Sequence, residues 1–440
     1  MLALINPKWS VEFGTAPAII GGVQSCYFAG LAIGAGAWGY CADIWGRKFA
    51  FNCTLFTAGA FSCMAGGMPN YASLCIFALL MGSGTGGNLP LDGAIFLESS
   101  PRTNQHYLML LSAFWQIGQV FASLVGWGFL ANFSCNGTTA ATCPKSENMG
   151  WRYVCITLGG FVLFMWVCRF FLFTFHESAK NLLARGMKDE AVDSLNKIAI
   201  YNHSPHRISV DQLSHETSSI TSAQGGRVRS VFRERMEIYG WQRIKPLFQP
   251  KRMGFTTVLV WIIWTVIQIG YTMFNGFLPA FLQEKGISNG AASVGDVYKQ
   301  YVYISLSGIP GSFIALWTVN IPYVGRRGVM AVSGAVSAIC LVLFAKLTSP
   351  GGQLAANCIQ AAVGNVFYAV LYAYSPEVFP TYVRGTGVGI ASMLARVFAV
   401  WVPVVTGRLA AINVNIPLII SAVCFGLLAP LSLMLPIVSC

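Results

Sequence analysis

The sequence predicts an all-α polytopic membrane protein. Of its 440 residues, 55% are hydrophobic and only 10% are charged. The charges cluster, leaving apolar runs of about 20 residues, the length that spans a bilayer as a helix. A water-soluble domain carries about 25% charged residues, so this chain has too few to cover a hydrated surface.

The net charge of +12 does not point to nucleic acid, because membrane proteins gather Lys and Arg on the cytoplasmic side. Eleven of the 13 cysteines lie in or beside apolar runs, as expected of reduced packing residues. The other two, Cys135 and Cys143, share one polar loop. No zinc-type spacing occurs, and neither metal nor cofactor is expected. The opening MLALINPKWS is too short and too polar for a signal peptide.

Eleven spans follow in order: Pro17–Gly39, Phe49–Met68, Tyr71–Phe96, Tyr107–Leu130, Tyr153–Phe175, Gly254–Phe281, Tyr301–Val319, Gly328–Leu347, Leu354–Tyr374, Val388–Val405 and Ile416–Ile437. They divide the chain into an N-terminal bundle over 1–175, a polar segment over 176–253 and a C-terminal bundle over 254–440. In the polar segment, Ala191, Val192, Leu195, Ile198 and Ala199 recur at helical spacing, which predicts an amphipathic helix. Ser214 to Ser230 is rich in Ser, Thr and Gly and reads as a flexible linker.

With the 176–253 segment in the cytoplasm, 19 basic residues fall inside and 7 outside. Thirteen of the 19 belong to that segment, which is over-length for the positive-inside rule. Without it the count is 6 against 7 and decides nothing. The loop 131–150 supplies a second signal. It holds two acceptor sequons, Asn132-Phe-Ser134 and Asn136-Gly-Thr138, beside the candidate disulfide pair Cys135 and Cys143. Glycans and disulfides belong on the outer or lumenal side, where the alternation puts this loop.

The chain repeats itself. Gly46-Arg47-Lys48 recurs as Gly325-Arg326-Arg327, and Glu98-x-x-Pro101 as Glu377-x-x-Pro380, each at an offset of 279 residues. Shifted back by 279, the span Gly254–Phe281 falls almost wholly before Met1. The expectation is a twelve-helix design of which this sequence carries eleven helices, the leading one being absent.

Gly39-x-x-x-Asp43-x-x-Gly46-Arg47-Lys48 sits between the first two spans. Gly allows close helix contact, and Asp43 can cap a helix or accept from a cation. The pattern resembles the signature loop between the second and third helices of the major facilitator superfamily. Its second copy departs, with Thr318 and Pro322 at the Gly39 and Asp43 positions. Pro376-Glu377-Val-Phe-Pro380-Thr-Tyr-Val-Arg384-Gly385 and Glu98-x-x-Pro101-Arg102 resemble the sugar-porter-like branch of that superfamily. Gly84-Thr-Gly-Gly-Asn-Leu-Pro-Leu-Asp-Gly93 and Phe274-Asn-Gly-Phe-Leu-Pro279 are similar to its synaptic-vesicle-glycoprotein-like and nicotinate-transporter-like group. The resemblance covers nearly the whole chain and implies two parallel-repeat helical bundles around a central cavity. Gly82-Ser-Gly-Thr-Gly-Gly87 also fits a dinucleotide fingerprint, but no strand precedes it, and helix packing explains it better.

Charge inside a membrane is costly, about 2.5–3.5 kcal/mol at a helix centre on insertion scales. Asp92 is the only acidic residue within a span, and Arg169, Lys346 and Arg396 are the only basic ones. Lys346 and Arg169 lie near span ends and can snorkel. Gln116 and Gln119 share one helix face, as do Gln268, Tyr271 and Asn275. The resemblance places these on the fifth and seventh helices of the family, which line its cavity, and Arg396 on the eleventh, where an Arg faces substrate in organic-anion carriers.

The expected substrate-binding set is therefore Arg396, Gln116, Gln119, Gln268, Tyr271 and Asn275, with Asp92 for proton coupling. The same polar residues would also serve as interhelical contacts, and Arg396 as the partner of Asp92 or of a carbonyl. A cytoplasmic gate would combine Gly39, Asp43, Gly46, Arg47, Lys48, Glu98 and Arg102 with Gly325, Arg326, Arg327, Glu377 and Arg384. The expected activity is secondary transport, proton-coupled or facilitative, of a small polar or anionic organic solute such as a sugar or carboxylate. The alternatives are a transport-inactive sensor of the same fold and a truncated, non-functional form. No enzyme activity is expected, since no His/Asp or Cys/His set lies at membrane depth. The expected partners are the bilayer, the solute and protons, with a monomeric chain in the plasma membrane or an endomembrane.

Overall fold

The computed structural model describes residues 1–16, 19–45, 47–99, 111–135, 142–172, 179, 182, 187–210, 245–288, 293–318, 325–379 and 384–436. Among them no strand occurs. The first half comprises α1 (Leu2–Glu12), α2 (Gly22–Trp45), α3 (Arg47–Ala65), α4 (Tyr71–Ser99), α5 (Leu111–Asn132) and α6 (Gly150–Leu172). A polar helix, α7 (Lys188–Tyr201), follows. The second half comprises α8 (Lys251–Asn275), α9 (Leu278–Ser288), α10 (Val294–Thr318), α11 (Gly325–Lys346), α12 (Pro350–Val378), α13 (Arg384–Ile412) and α14 (Asn415–Leu433). Seven of the described helices, α5, α6, α8 and α11 to α14, are long and apolar enough to cross a membrane.

The helix starts follow local chemistry. Ser349 caps α12, its Oγ accepting from the Gly352 amide at 3.3 Å, with Pro350 at the first helical position. Ser293 and Asp296 form a capping box at α10, each side chain accepting from the other's backbone amide at 3.2 Å. Hydroxyls within the apolar helices bond back one turn, as Thr265 does to the Trp261 carbonyl and Thr406 to that of Val402.

The 279-residue repeat reappears in the helix bounds. α4 runs from 71 to 99 and α12 from 350 to 378, the same limits at the same offset. Packing repeats too: α2 crosses α4 as α10 crosses α12, and α3 lies on α6 as α11 lies on α14. The two halves meet where α5 runs along α10 and α13 along α2.

The structure departs from the sequence reading at two places. The span Gly254–Phe281 is interrupted: α8 stops at Asn275 and α9 begins at Leu278. Pro279, which has no amide hydrogen to give a preceding turn, explains the restart. The opening residues form α1, with Leu4, Ile5, Asn6, Lys8 and Trp9 buried. At the 279 offset α1 is the counterpart of α9. In the second half α8 packs along α13 and α14, whereas α1 touches the equivalent α5 and α6 much less.

The amphipathic reading of 188–201 holds in its first turns, where Ala191 and Val192 are buried, while Ile198 is exposed. The linker Ser214 to Ser230 lies outside the described residues.

Candidate functional site

The crossing of α2 and α4 sets one wall of the site. Gly30 and Gly34 face Gly82 and Gly86, and the backbones approach so closely that a Cβ on Gly34 would sit 1.9 Å from the Ser83 carbonyl oxygen. A Cβ on Gly86 would sit 2.2 Å from that of Leu31. The glycine run read from sequence as helix packing does that. Arg396, on α13 of the other half, is buried against this crossing and donates to the Leu31 and Gly86 carbonyls, each at 3.3 Å. Its partners are thus carbonyls. The charge that acts on Asp92 is Arg169, within the same half.

The opposite wall is the interrupted helix. Gln24 of α2 reaches across the boundary between halves, and its Nε2 donates to the Gly276 carbonyl at 2.7 Å, inside the break between α8 and α9. Broken helices at the boundary of repeats are where transporters place their binding sites. A cavity of about 540 Å³ opens beside this contact. α1 to α6 and the break all contribute to it, with α10 adding Tyr301. Its polar lining includes Gln24, Tyr27, Thr85, Gln119, Tyr271 and Asn275, and its apolar lining Phe28, Met81, Phe114 and Trp115. No charged side chain is among the described residues that line it.

Three of the six expected binding residues, Gln119, Tyr271 and Asn275, therefore share this cavity. The other three do not line it. Gln268 spends its amide within its own helix, donating to the Thr272 hydroxyl at 2.9 Å. Gln116 abuts Gly308 of α10. Arg396 meets α2 at Leu31, one turn from Tyr27, which does line the cavity. Asp92 is half-buried and does not line it either.

Gln116 belongs to a seam between the halves. Ser112 donates to Ser312 at 2.9 Å, Ser123 shares a hydrogen with Ser305 at 2.9 Å, and Gln119 reaches the Tyr301 hydroxyl at a long 3.5 Å. Asn365 of α12 adds bonds to the Gly308 carbonyl at 3.0 Å and to Ser312 at 2.7 Å. The polar positions repeat at 112, 116, 119 and 123 on α5 and at 301, 305, 308 and 312 on α10, one face of each helix.

Where α5 ends and α6 begins, a buried polar knot fixes α1. Glu12 accepts from Arg152 at 2.8 Å and from the Trp151 indole at 2.8 Å. Lys8 donates to the Cys135 carbonyl at 3.0 Å, and Asn148 donates to the Lys8 carbonyl at 2.9 Å. Cys135 and Cys143 are joined in a disulfide. Tyr298 of the second half donates to the Leu4 carbonyl at 3.0 Å. Asn132 ends α5 exposed, its amide donating to the Gly128 carbonyl at 2.8 Å. Asn136 lies outside the described residues.

In the second half, Arg326 pairs with Glu377, joining the start of α11 to the end of α12. Gly325 has φ +56°, a conformation that glycine adopts freely, and Arg327 follows it in the first turn of α11. Gly39 lies within α2, and Lys48 is exposed in α3. Gly46 and Arg102, and the side chains of Asp43, Arg47, Glu98 and Arg384, lie outside what is described.

Sequence reasoning missed Gln24, Tyr27, Thr85 and Tyr301. Gln24 carried a usable signal, an amide inside an apolar span, the same feature that marked Gln116 and Gln119.

Two bundles of helices related by a parallel repeat, meeting around a cavity at a broken helix, define a membrane transporter fold. Residues 1–322 match the Major Facilitator Superfamily, and the chain belongs to that family as an integral multi-pass membrane protein. It is 38% identical over 412 residues to MFS siderochrome iron transporter 1 of Ceriporiopsis subvermispora, covering 93% of this chain and 78% of that one. It is 24% identical over 407 residues to the niacin transporter NiaP of Acinetobacter baylyi, covering 92% and 82%. Its fold matches the xylose transporter XylE from E. coli in a partially occluded inward-open conformation, with a TM-score of 0.69 at 14% identity, covering 98% of this chain and 93% of that one.

Proposed function

We propose that the chain carries a small polar organic solute across its membrane by alternating access, the bundles 1–175 and 254–440 rocking about the cavity and the 176–253 segment facing the cytoplasm. The observation that carries this reading is the cavity itself, which lies at the break between α8 and α9 and takes its lining from both halves. Amides and hydroxyls from Gln24, Thr85, Gln119 and Asn275 offer donors and acceptors, while Phe28, Trp115 and Tyr271 offer flat apolar faces. That lining suits a hydroxyl- or amide-bearing solute of modest size, with a ring or short carbon frame.

An organic anion is the second reading, and Arg396 is the observation that favours it. Its guanidinium meets backbone carbonyls, which leaves its charge available to a carboxylate that reaches past Tyr27. Asp92, the in-span carboxylate, is the candidate proton-coupling group in either case, with facilitative transport as the alternative. The relatives, an iron-siderochrome transporter and a niacin transporter, differ in solute and favour neither reading over the other.

Uptake of a defined metabolite mixture into liposomes holding the purified full chain tests the proposal. Enrichment of one or more small polar solutes over empty liposomes is expected, with acceleration by an inward proton gradient if Asp92 couples. Failure to accumulate any solute while binding one would support a sensor of this fold instead.

A further inference from the structure

We propose that Gln24 is a specificity-determining residue, its Oε1 accepting a hydrogen bond from a donor on the carried solute. The inference rests on the transport reading above and deepens it by naming a group that the solute must present. Gln24 is 5% exposed and stands on the cavity wall. Which end of its amide faces where is fixed by chemistry. The Gly276 carbonyl can only accept, so the nitrogen must face it. The oxygen is left over, enclosed and without a partner. A buried acceptor left unmade is unfavourable, and a solute O–H or N–H that reaches it as the halves move removes that penalty. A solute lacking the donor leaves it in place.

Gly276 belongs to the same arrangement. A Cβ there would stand 2.9 Å from the Gln24 Oε1 and 2.5 Å from the Thr272 carbonyl oxygen. Any larger residue at 276 would push the amide out of its pose. The bond to Gly276 crosses from one half to the other, so the residue that reads the solute also touches the interrupted helix. Discrimination between donor-bearing and donor-free solutes should therefore depend on position 24. A role confined to holding the helices together would slow every solute alike.

The experiment uses the full chain in liposomes and matched probe pairs: nicotinamide with N,N-dimethylnicotinamide, and D-xylose with its monodeoxy forms. For a pair that the wild type carries, the donor-bearing member should be preferred by roughly tenfold in uptake KM. Gln24→Met, which keeps length and loses both polar atoms, should bring that ratio close to one. Gln24→Asn withdraws the oxygen by one methylene, should fold as a conservative change, and should also reduce the ratio severalfold. A preference that survives in either variant, or a wild type that carries both members equally, overturns the inference and leaves the transport reading standing. Uptake of none of the probes or metabolites by the wild type overturns the transport reading and the inference with it.

Discussion

Arg152 donates to Glu12 at 2.8 Å with both side chains almost wholly buried, 3% and 7% exposed. The pair ties the last turn of α1 to the first turn of α6. Arg152 also donates to the Met68 carbonyl at 3.2 Å and lies over the Trp151 ring at 4.1 Å. Breaking such a pair from one side leaves a buried charge uncompensated, at about 3–5 kcal/mol. Glu12→Ala should therefore lower membrane abundance and thermal stability sharply, and Glu12→Ala with Arg152→Leu should recover much of both. Fluorescence-detected size-exclusion chromatography after heating reads this. An additive loss in the double variant would show that the pair is not a unit.

Asp92 and Arg396 are not partners in this fold. Asp92→Ala should reduce abundance by roughly a few-fold, and adding Arg169→Ala should restore it where adding Arg396→Ala does not. Rescue by the Arg396 change instead would reassign the pair. Arg396→Lys should weaken contact with the Leu31 and Gly86 carbonyls, because an ammonium cannot span two acceptors as a planar fork does.

Gly86 is held by sterics. With the Leu31 carbonyl 2.2 Å from where a Cβ would stand, Gly86→Ala must force α2 and α4 apart. A loss of about 1–3 kcal/mol follows from overpacking of this kind. Because the shift moves both carbonyls that hold Arg396, transport should fall further than abundance does. Equal losses in the two would confine the effect to folding.

The seam between α5 and α10 can be probed covalently. Ser112→Cys with Ser312→Cys places two thiols where the hydroxyls now lie 2.9 Å apart. If the halves must move along this seam, oxidation should arrest uptake and reductant should restore it. Full uptake by the cross-linked protein would make the seam a fixed hinge.

Sidedness has its own test. Asn132 is exposed at the end of α5, so glycosidase treatment of the full chain should raise its mobility, and the Asn132→Gln, Asn136→Gln pair should abolish the change. A tag inserted near Gly225 should be digested only after the cytoplasmic face is opened. Protection of that tag on the lumenal side would invert the topology.

Much of the fold was readable from the sequence because a membrane leaves few options. Apolar runs must be helices, and the 279-residue offset between Gly46 and Gly325 anticipated the matching bounds of α4 and α12. α1 escaped because its burial comes from tertiary contacts. Lys8 and Glu12 make it look like a polar terminus, yet each has a partner about 130 residues away or more. The site was read in part for a related reason. Polarity inside an apolar helix marks a need for a partner and does not say which partner answers it. Gln119 and Asn275 face the cavity, Gln116 meets α10, and Gln268 bonds within its own helix. Their sequence signatures are alike, and only what each meets in the packed bundle separates them.

The contacts of α1 also bear on the order of assembly during synthesis. Its partners are residues translated after it: Cys135 and Trp151 from the far end of the first half, and Tyr298 from the second. α1 is made before any of them, and its bond to the second half waits until some three hundred residues have followed. A chain stalled before Tyr298 would lack the bond that joins α1 to the second half.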